Sequence, residues 1–157
     1  MLFRSDPVVH ELDEQVQAEY VVRYGTRDAT ALDPAEFATP MRGAFLVGWA
    51  DGVAVAMGGI RAHGDDAEIK RMYVPAEHRG KGYARAMLTA LEDAAGAAGY
   101  PRIILETGTE QPEAIALYES SGYASIPGFG YYKDSPQNRC YAKPLRSPSP
   151  DRSRVMG

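Results

Sequence analysis

Cysteine is almost absent from this sequence, and its scarcity limits the sites that the chain can build. Cys140 is the one cysteine in 157 residues, so an internal disulfide framework and a thiolate metal site are both excluded. The 3 histidines, at positions 10, 63 and 78, are scattered and lack the spacing of metal ligands. We therefore expect no metal ion, and the unpaired thiol favours a reducing, cytoplasmic compartment.

Long apolar runs and an excess of positive charge are also missing. No run approaches the roughly 20 apolar residues that span a bilayer, and the N-terminal region is acidic where a signal peptide would be basic and apolar. The formal net charge of -4 disfavours broad binding to nucleic acid, which requires a basic surface. We predict one domain over residues 1–146, with no membrane and no nucleic-acid partner, followed by a disordered tail at 147–157.

Apolar periodicity and turn residues predict a regular succession of helices and strands. Asp51-Gly52 is a strong signal for a two-residue hairpin turn, and a second turn follows at residues 64–66, so residues 44–74 form a three-stranded antiparallel meander. Around this meander, the pattern predicts helices at residues 7–24, 33–37, 82–99 and 111–121, and strands at residues 2–4, 102–106, 123–126 and 138–145. This order indicates a mixed α+β domain.

The segment between the meander and the long helix is rich in glycine and positive charge. It reads His78-Arg79-Gly80-Lys81-Gly82-Tyr83-Ala84. Glycine permits backbone geometries that other residues resist, and successive N–H groups at a helix start form a cradle for phosphate oxygens. Arg79 and Lys81 would add full positive charge to this cradle. The turn therefore predicts a phosphate-binding site, with an ordinary basic strand-to-helix turn as the alternative.

Two other phosphate-binding motifs fit the segment poorly. A P-loop requires Gly-Lys followed by Ser or Thr, and here Gly80-Lys81 is followed by Gly82. The Rossmann fingerprint requires a third small residue where Arg85 stands, and it follows a strand of a parallel sheet rather than an antiparallel meander. Glu106 lies roughly where a ribose-binding acid is found, so a dinucleotide-dependent enzyme remains an alternative.

The same segment resembles the coenzyme A motif of the GNAT superfamily of N-acetyltransferases. That motif, Arg or Gln, two residues, Gly, one residue, then Gly or Ala, is met by Arg79, Gly82 and Ala84. Met72 and Val74 match the apolar positions of the preceding strand. The predicted order of elements is similar to the GNAT fold up to about residue 145. The resemblance implies a mostly antiparallel twisted sheet of about six to seven strands, flanked by about four helices.

This resemblance implies that acetyl-CoA is the co-substrate, and it assigns binding residues. In the family, backbone amides of the turn hold the coenzyme A pyrophosphate, and the preceding strand pairs with the pantetheine arm. The implied coenzyme A-binding residues here are Met72, Tyr73, Val74, Arg79, Gly80, Lys81, Gly82, Tyr83 and Ala84. A non-catalytic module that binds or senses acyl-CoA would use the same residues and remains an alternative.

The resemblance also implies two catalytic residues. Residues 112–123 are similar to a second family signature, in which a helical tyrosine, here Tyr118, protonates the departing thiolate. A phenol suits this role because it stays protonated at neutral pH and can donate a hydrogen bond. Glu68 matches the catalytic glutamate of histone-acetylating members and is the candidate base, with a water relay or an ammonium anchor as alternatives. Two-residue alternation would place Glu68 on one strand face with Lys70, Met72 and Val74.

The acceptor amine is the least defined part of the hypothesis. In this fold the amine enters beside the first two helices and the loop before the last strand, where the sequence places Arg23, Tyr24, Phe129 and Tyr132. Aromatic rings beside an arginine suit a small primary amine that also carries a carboxylate. The segments at 105–108 and 126–130 resemble a bacterial subgroup thought to act on small molecules. Dimers are frequent in this family, which suggests a homodimer.

Overall fold

A computed structural model describes residues 2–4, 8–24, 34–37, 42–130 and 132–145. The predicted order of helices and strands is confirmed, with small shifts at most ends. The elements are β1 (Leu2–Arg4), α1 (Val8–Tyr24), a 3-10 turn (Pro34–Phe37), β2 (Ala44–Ala50), β3 (Val53–His63), β4 (Asp66–Tyr73), a second 3-10 turn (Ala76–His78), α2 (Tyr83–Ala97), β5 (Arg102–Gly108), α3 (Pro112–Ser120), β6 (Ala124–Ile126) and β7 (Asn138–Pro144).

The helix predicted at residues 33–37 is a single 3-10 turn, because a segment this short cannot propagate α-helical hydrogen bonds. The predicted tail at residues 147–157 lies outside the described residues. Of the helices that are described, none is long and apolar enough to cross a membrane.

The β2–β3 hairpin is determined locally by its turn. Asp51 and Gly52 have φ angles of 51° and 77°, as a type I′ turn requires at both central positions. The strands then pair from Ala50 opposite Val53 back to Ala44 opposite Ile60. The hairpin prediction is therefore confirmed, and it supplies the central part of the sheet.

The part of the chain that the structure describes forms one seven-stranded sheet in the order β1-β2-β3-β4-β5-β7-β6, in which only the β4–β5 pair is parallel. Within the described residues, this parallel pairing is confined to Ala67 opposite Ile103 and Glu68 opposite Ile104. Both pairs lie at the starts of the two strands. The later residues of β4 are therefore not paired with β5, and the carboxyl ends of the two strands flank a gap in the sheet.

A β-bulge interrupts β4 at the edge of this gap. Met57 lies opposite Tyr73 and Gly59 lies opposite Lys70, so three steps along β4 match two steps along β3. The extra residue is accommodated at Arg71, whose φ of 57° is in the left-handed region. A bulge of this kind bends the strand and changes which face the following side chains occupy.

The bulge makes the predicted alternation along β4 wrong beyond Lys70. Glu68 and Lys70 lie opposite Arg61 and Gly59, and the same sheet face carries Tyr73, which packs with the core beneath α1. Met72 and Val74 instead pack with the core beneath α2. Glu68 therefore does not share a face with Met72 and Val74, because the inserted residue reverses the two-residue period.

Helices cover both faces of the sheet. On one face, α2 and α3 pack on a core that contains the fully buried Met87, Leu88 and Leu91. On the other face, α1 buries Leu12 and Val16 against Val47, Met57 and Tyr73. The core beneath α2 and α3 holds the start of α2 and the middle of α3 on the same face of the sheet, beside the gap.

Gly58 allows α2 to lie close to the sheet. A Cβ atom at this position would be 2.8 Å from Leu91 Cδ1 and 3.4 Å from the Cγ atoms of Met72 and Met87. A distance of 2.8 Å is shorter than a van der Waals contact, so even a methyl group would force the leucine side chain to move. The position of the helix therefore depends on the absence of a side chain here.

We expect Gly58→Ala to lower the free energy of unfolding by about 1–2 kcal/mol, because the added methyl overpacks the α2 interface. Urea denaturation followed by circular dichroism measures this change. The double variant Gly58→Ala/Leu91→Val should recover part of the loss, since the valine removes the group that clashes. Gly58→Ala with wild-type stability would show that the helix tolerates the methyl without rearrangement.

Candidate functional site

A cleft of about 330 Å³ lies at the gap in the sheet. Its walls are the end of β4, the start of α2, one side of α3 and two residues of α1. The lining residues are Val16, Glu19, Met72, Tyr73, Val74, His78, Arg79, Gly80, Gly82, Tyr83, Ala84, Arg85, Gln111, Glu113, Ala114, Leu117 and Tyr118. The predicted coenzyme A residues and Tyr118 thus meet at one cleft, with the exception of Lys81, which does not line it.

The glycine-rich turn presents backbone amides to this cleft. Gly80 and Gly82 have φ angles of 79° and 85°, which glycine adopts at little cost. Gly82 is the N-cap of α2, and no side chain of the described residues caps the first turn. The first N–H groups of a helix lack acceptors within the helix, so those of α2 are available to an anion in the cleft.

The basic side chains around the turn are arranged differently from the prediction. Arg79 donates to the Val74 carbonyl at 2.8 Å and forms an ion pair with Glu19, so its guanidinium links the turn to α1 and to the residue that follows β4. The Lys81 side chain is exposed. Arg85 lines the cleft and donates to Ser121 Oγ at 3.1 Å and Ser120 Oγ at 3.0 Å. The prediction did not include Arg85 among the binding residues and so missed its place in the wall.

The unpaired edge of β4 forms the long wall of the cleft through Met72, Tyr73 and Val74. Backbone N–H and C=O groups that leave a sheet need other partners when they are covered. An extended ligand that carries amide groups can supply them by adding to the strand edge. The arrangement suits a long molecule with amides along its arm and phosphates at one end.

Tyr118 on α3 belongs to a cluster of three aromatic rings. Tyr118 is 6% exposed, and its ring centre lies 5.7 Å from that of Tyr123 and 6.3 Å from that of Tyr141. The Tyr123 hydroxyl donates to Glu92 at 2.9 Å, and the Tyr141 hydroxyl donates to Glu119 at 3.1 Å. Burial, together with the Glu92 carboxylate, raises the pKa of Tyr123. Of these three rings, only Tyr118 lines the cleft.

Glu68 lies in a buried ionic cluster on the opposite sheet face. The residue is 3% exposed, and its carboxylate accepts a hydrogen bond from Arg61 Nε at 3.2 Å. Arg61 also pairs with Glu36 at 3.3 Å, and His63 Nδ1 lies 3.8 Å from Glu68 Oε1. Glu68 does not line the cleft that holds Tyr118. The predicted turn between β3 and β4 sets Arg61 opposite Glu68. This pairing could have indicated the cluster from the sequence, but the prediction did not use it.

The predicted acceptor residues are placed in part. Phe129 packs edge-on against His63, with ring centres 5.1 Å apart, so the loop before β7 covers the ionic cluster. The neighbouring Gly130 lies against the Glu106 carboxyl, where a Cβ would be 2.5 Å from Oε1. Tyr132 is half-buried in the same loop. The side chains of Arg23 and Tyr24, at the end of α1, lie outside the described residues.

No metal-binding cluster of three or more His, Cys, Asp or Glu side chains occurs in the described part of the chain. The remaining nucleophile, Cys140, is 3% exposed on β7, where Asn138 donates to its sulfur at 3.3 Å. Burial raises the pKa of the Cys140 thiol, which keeps it protonated and unreactive at neutral pH.

We expect native Cys140 to react with a disulfide reagent such as DTNB at least about 100-fold more slowly than in the unfolded chain, because reaction requires the core to open. Absorbance measured with and without denaturant at pH 7 tests this. Similar rates in the two states would contradict the burial. The chain has no other cysteine. If Cys140 reacts slowly with DTNB, the protein gives little background signal when the same reagent is used to detect a thiol released from a ligand.

Comparison with known proteins is consistent across sequence and structure. The acetyltransferase (GNAT) family model matches residues 9–123. The chain is 40% identical over 103 residues to an IAA acetyltransferase of Azospirillum brasilense, an alignment that covers 64% of this chain and 67% of that protein.

Two solved structures show the likeness in three dimensions. One, from Klebsiella pneumoniae, is provisionally described as an acyl-CoA N-acyltransferase; it has a TM-score of 0.75 and 28% identity, and covers 92% of this chain and 97% of its own. The other is the PaiA N-acetyltransferase of Thermoplasma acidophilum in complex with coenzyme A, with a TM-score of 0.70, 13% identity, and coverage of 92% and 98%. At 13% identity the second likeness shows the fold alone.

Proposed function

This chain belongs to the GNAT family of acetyltransferases, and on that premise we propose that it transfers an acetyl group from acetyl-CoA to the primary amine of a small molecule. Acyl-CoA-dependent N-acyl transfer is the activity of the family. The observation that carries the finer proposal is the meeting of three features at one cleft. These are the amides of residues 80–84, the unpaired edge of β4 and the Tyr118 ring.

The cleft is proposed to bind coenzyme A along its whole length. The amides at the start of α2 would hold the pyrophosphate, and the backbone of residues 72–74 would pair with the amides of the pantetheine arm. Acetyl-CoA supplies a thioester whose carbonyl an amine attacks and whose thiolate departs. The thioester would then lie between β4 and α3, beside Tyr118.

Tyr118 is proposed as the general acid. As the new C–N bond forms and the C–S bond breaks, the departing sulfur needs one proton, and the Tyr118 phenol lies on the α3 side of the cleft, where the thioester is proposed to lie. The ring packs against Tyr123 and Tyr141, which support it from the side of the core. The hydroxyls of these two neighbours are already bonded to carboxylates, so they are poorly placed to compete for the role.

We expect Tyr118→Phe to lower kcat by about 100-fold, because the thiolate then leaves without a positioned proton donor. The KM for acetyl-CoA should change by no more than about two-fold, since the ring and its packing are kept. Release of free coenzyme A thiol in a steady-state assay measures both constants.

Tyr123→Phe is the matched control for this substitution. It removes a buried hydroxyl from the same aromatic cluster, and it should cost about 1 kcal/mol of stability through the lost bond to Glu92 while leaving kcat unchanged. A Tyr118→Phe enzyme with normal kcat would exclude the acid role. Equal losses in both variants would assign the effect to packing.

Glu68 is proposed to receive the proton that the attacking amine loses. An ammonium has no lone pair for the thioester, so the acceptor must reach the cleft as a neutral amine. Arg61 holds the Glu68 carboxylate in place, and Phe129 and Tyr132 of the covering loop would contact the acceptor. Because Glu68 does not line the cleft itself, a water molecule would carry the proton across the intervening distance.

We expect Glu68→Gln to lower kcat/KM for the amine by about 10–100-fold at neutral pH. The loss should shrink as the pH approaches the pKa of the amine, because the neutral form then becomes abundant without a base. Glu36→Gln, which also removes a partner of Arg61, is the control and should have a smaller effect. A loss that stays constant across the pH profile would contradict the proton-acceptor role.

A screen of small amines in the presence of acetyl-CoA tests the proposed function as a whole. Amines that bind the folded complex raise its melting temperature by mass action, and each hit is then assayed for thiol release. Amines with a carboxylate should be compared directly with the same amines lacking it. Tight binding of acetyl-CoA with no thiol release across a broad panel would favour a non-catalytic acyl-CoA sensor.

A further inference from the structure

Arg85 occupies an unusual position for a cation. It stands in the first turn of α2, on the wall of the cleft, and no acidic residue is present in that turn. The start of a helix carries a partial positive charge, so a cation there is unfavourable unless a negative group is near. Glu or Asp would be the residue that helix stability alone favours.

The partners of Arg85 do not neutralise it. Three other arginines pair with carboxylates. Arg61 pairs with Glu36 and Glu68, Arg79 pairs with Glu19, and Arg102 pairs with Asp66. Arg85 instead donates to two hydroxyls, those of Ser120 and Ser121 at the end of α3. Within the described residues it forms no ion pair. The helix start and this guanidinium therefore combine to make one positive region on the cleft.

The two serines fix where this charge lies. Each accepts from a different terminal nitrogen of the guanidinium, which holds the fork between α2 and α3. A guanidinium has five N–H donors, so three remain for a ligand after these two bonds. Arginine forks of this kind match the oxygens of a phosphate.

We propose that Arg85, positioned by Ser120 and Ser121, binds a phosphate group of coenzyme A and supplies the side-chain charge of this cleft. The inference rests on the coenzyme A-binding half of the proposed function. The sequence motif predicted that Arg79 and Lys81 supply the positive charge beside the phosphate, and this inference gives that role to Arg85. Arg79 is instead occupied by Glu19 and the Val74 carbonyl, and the Lys81 side chain lies outside the cleft lining.

Calorimetric binding of coenzyme A to wild type and Arg85→Gln tests the proposal. We expect Kd to rise by about 10-fold or more in the variant, as for the loss of a charge-assisted hydrogen bond. Binding of pantetheine, which has no phosphate, should be unchanged in a thermal-shift titration. Repeating the calorimetry with 3′-dephospho-coenzyme A identifies the phosphate: a defect that disappears assigns the 3′-phosphate, and one that persists assigns the pyrophosphate.

Three variants separate phosphate binding from other effects. Arg102→Gln changes the net charge equally at a site outside the cleft lining, and it should leave the Kd unchanged. Ser120→Ala/Ser121→Ala should raise the Kd several-fold in wild type and have no further effect in Arg85→Gln, because the serines act through the guanidinium. Arg85→Lys keeps the charge, so it should bind better than Arg85→Gln.

Two results would overturn the inference: normal coenzyme A binding by Arg85→Gln, or an equal loss of pantetheine binding, which would reveal a purely structural bridge between α2 and α3. If Arg85→Gln does not fold, the serine variant and Arg85→Lys supply the same comparison. The outcome is independent of catalysis. Wild type that binds coenzyme A without transferring acetyl groups would refute the proposed function and leave this inference intact.

Discussion

The separation of β4 from β5 opens the cleft and leaves the end of β4 without a partner strand on that side. Neighbouring parallel strands normally hydrogen-bond to each other along their length. In the described residues, β4 and β5 pair only where Ala67 and Glu68 lie opposite Ile103 and Ile104. Buried backbone groups need partners, so the free edge of β4 favours a ligand that brings its own amides. The bulge at Arg71 adds to this constraint, because it interrupts the regular pairing of β4 with β3 close to the unpaired edge.

Charge is divided between the two sides of the sheet. On the α2 side, the helix start and Arg85 form a positive region with no acid in the first turn. On the other side, Glu36 and Glu68 surround Arg61, and the loop at Phe129 covers them. Under the proposed function, the positive region at the helix start would attract the phosphates of the acyl donor.

Local signals explain the parts of the fold that were predicted well. The Asp51-Gly52 turn, the apolar stripe of α2 and the glycines of the phosphate turn all act within a few residues, where backbone preference and side-chain period decide the conformation. The prediction that Met72 and Val74 share a strand face with Glu68 was wrong because contacts between strands, and not local preference, decide the face. A bulge depends on how β4 matches β3 across the hairpin, and the period of β4 alone contains no sign of it.

Three features are predictable from the sequence: the order of elements, the glycine-rich turn at a helix start, and the family resemblance that pointed to Tyr118. Those features are short-range, so neighbouring residues encode them completely. The different roles of the arginines depend on the folded chain, in which Arg79 binds Glu19 and Arg85 is held by two serines at the end of α3. A charged side chain acts on whatever lies within a few ångströms, and for these residues those partners lie 35 to 60 positions away along the chain.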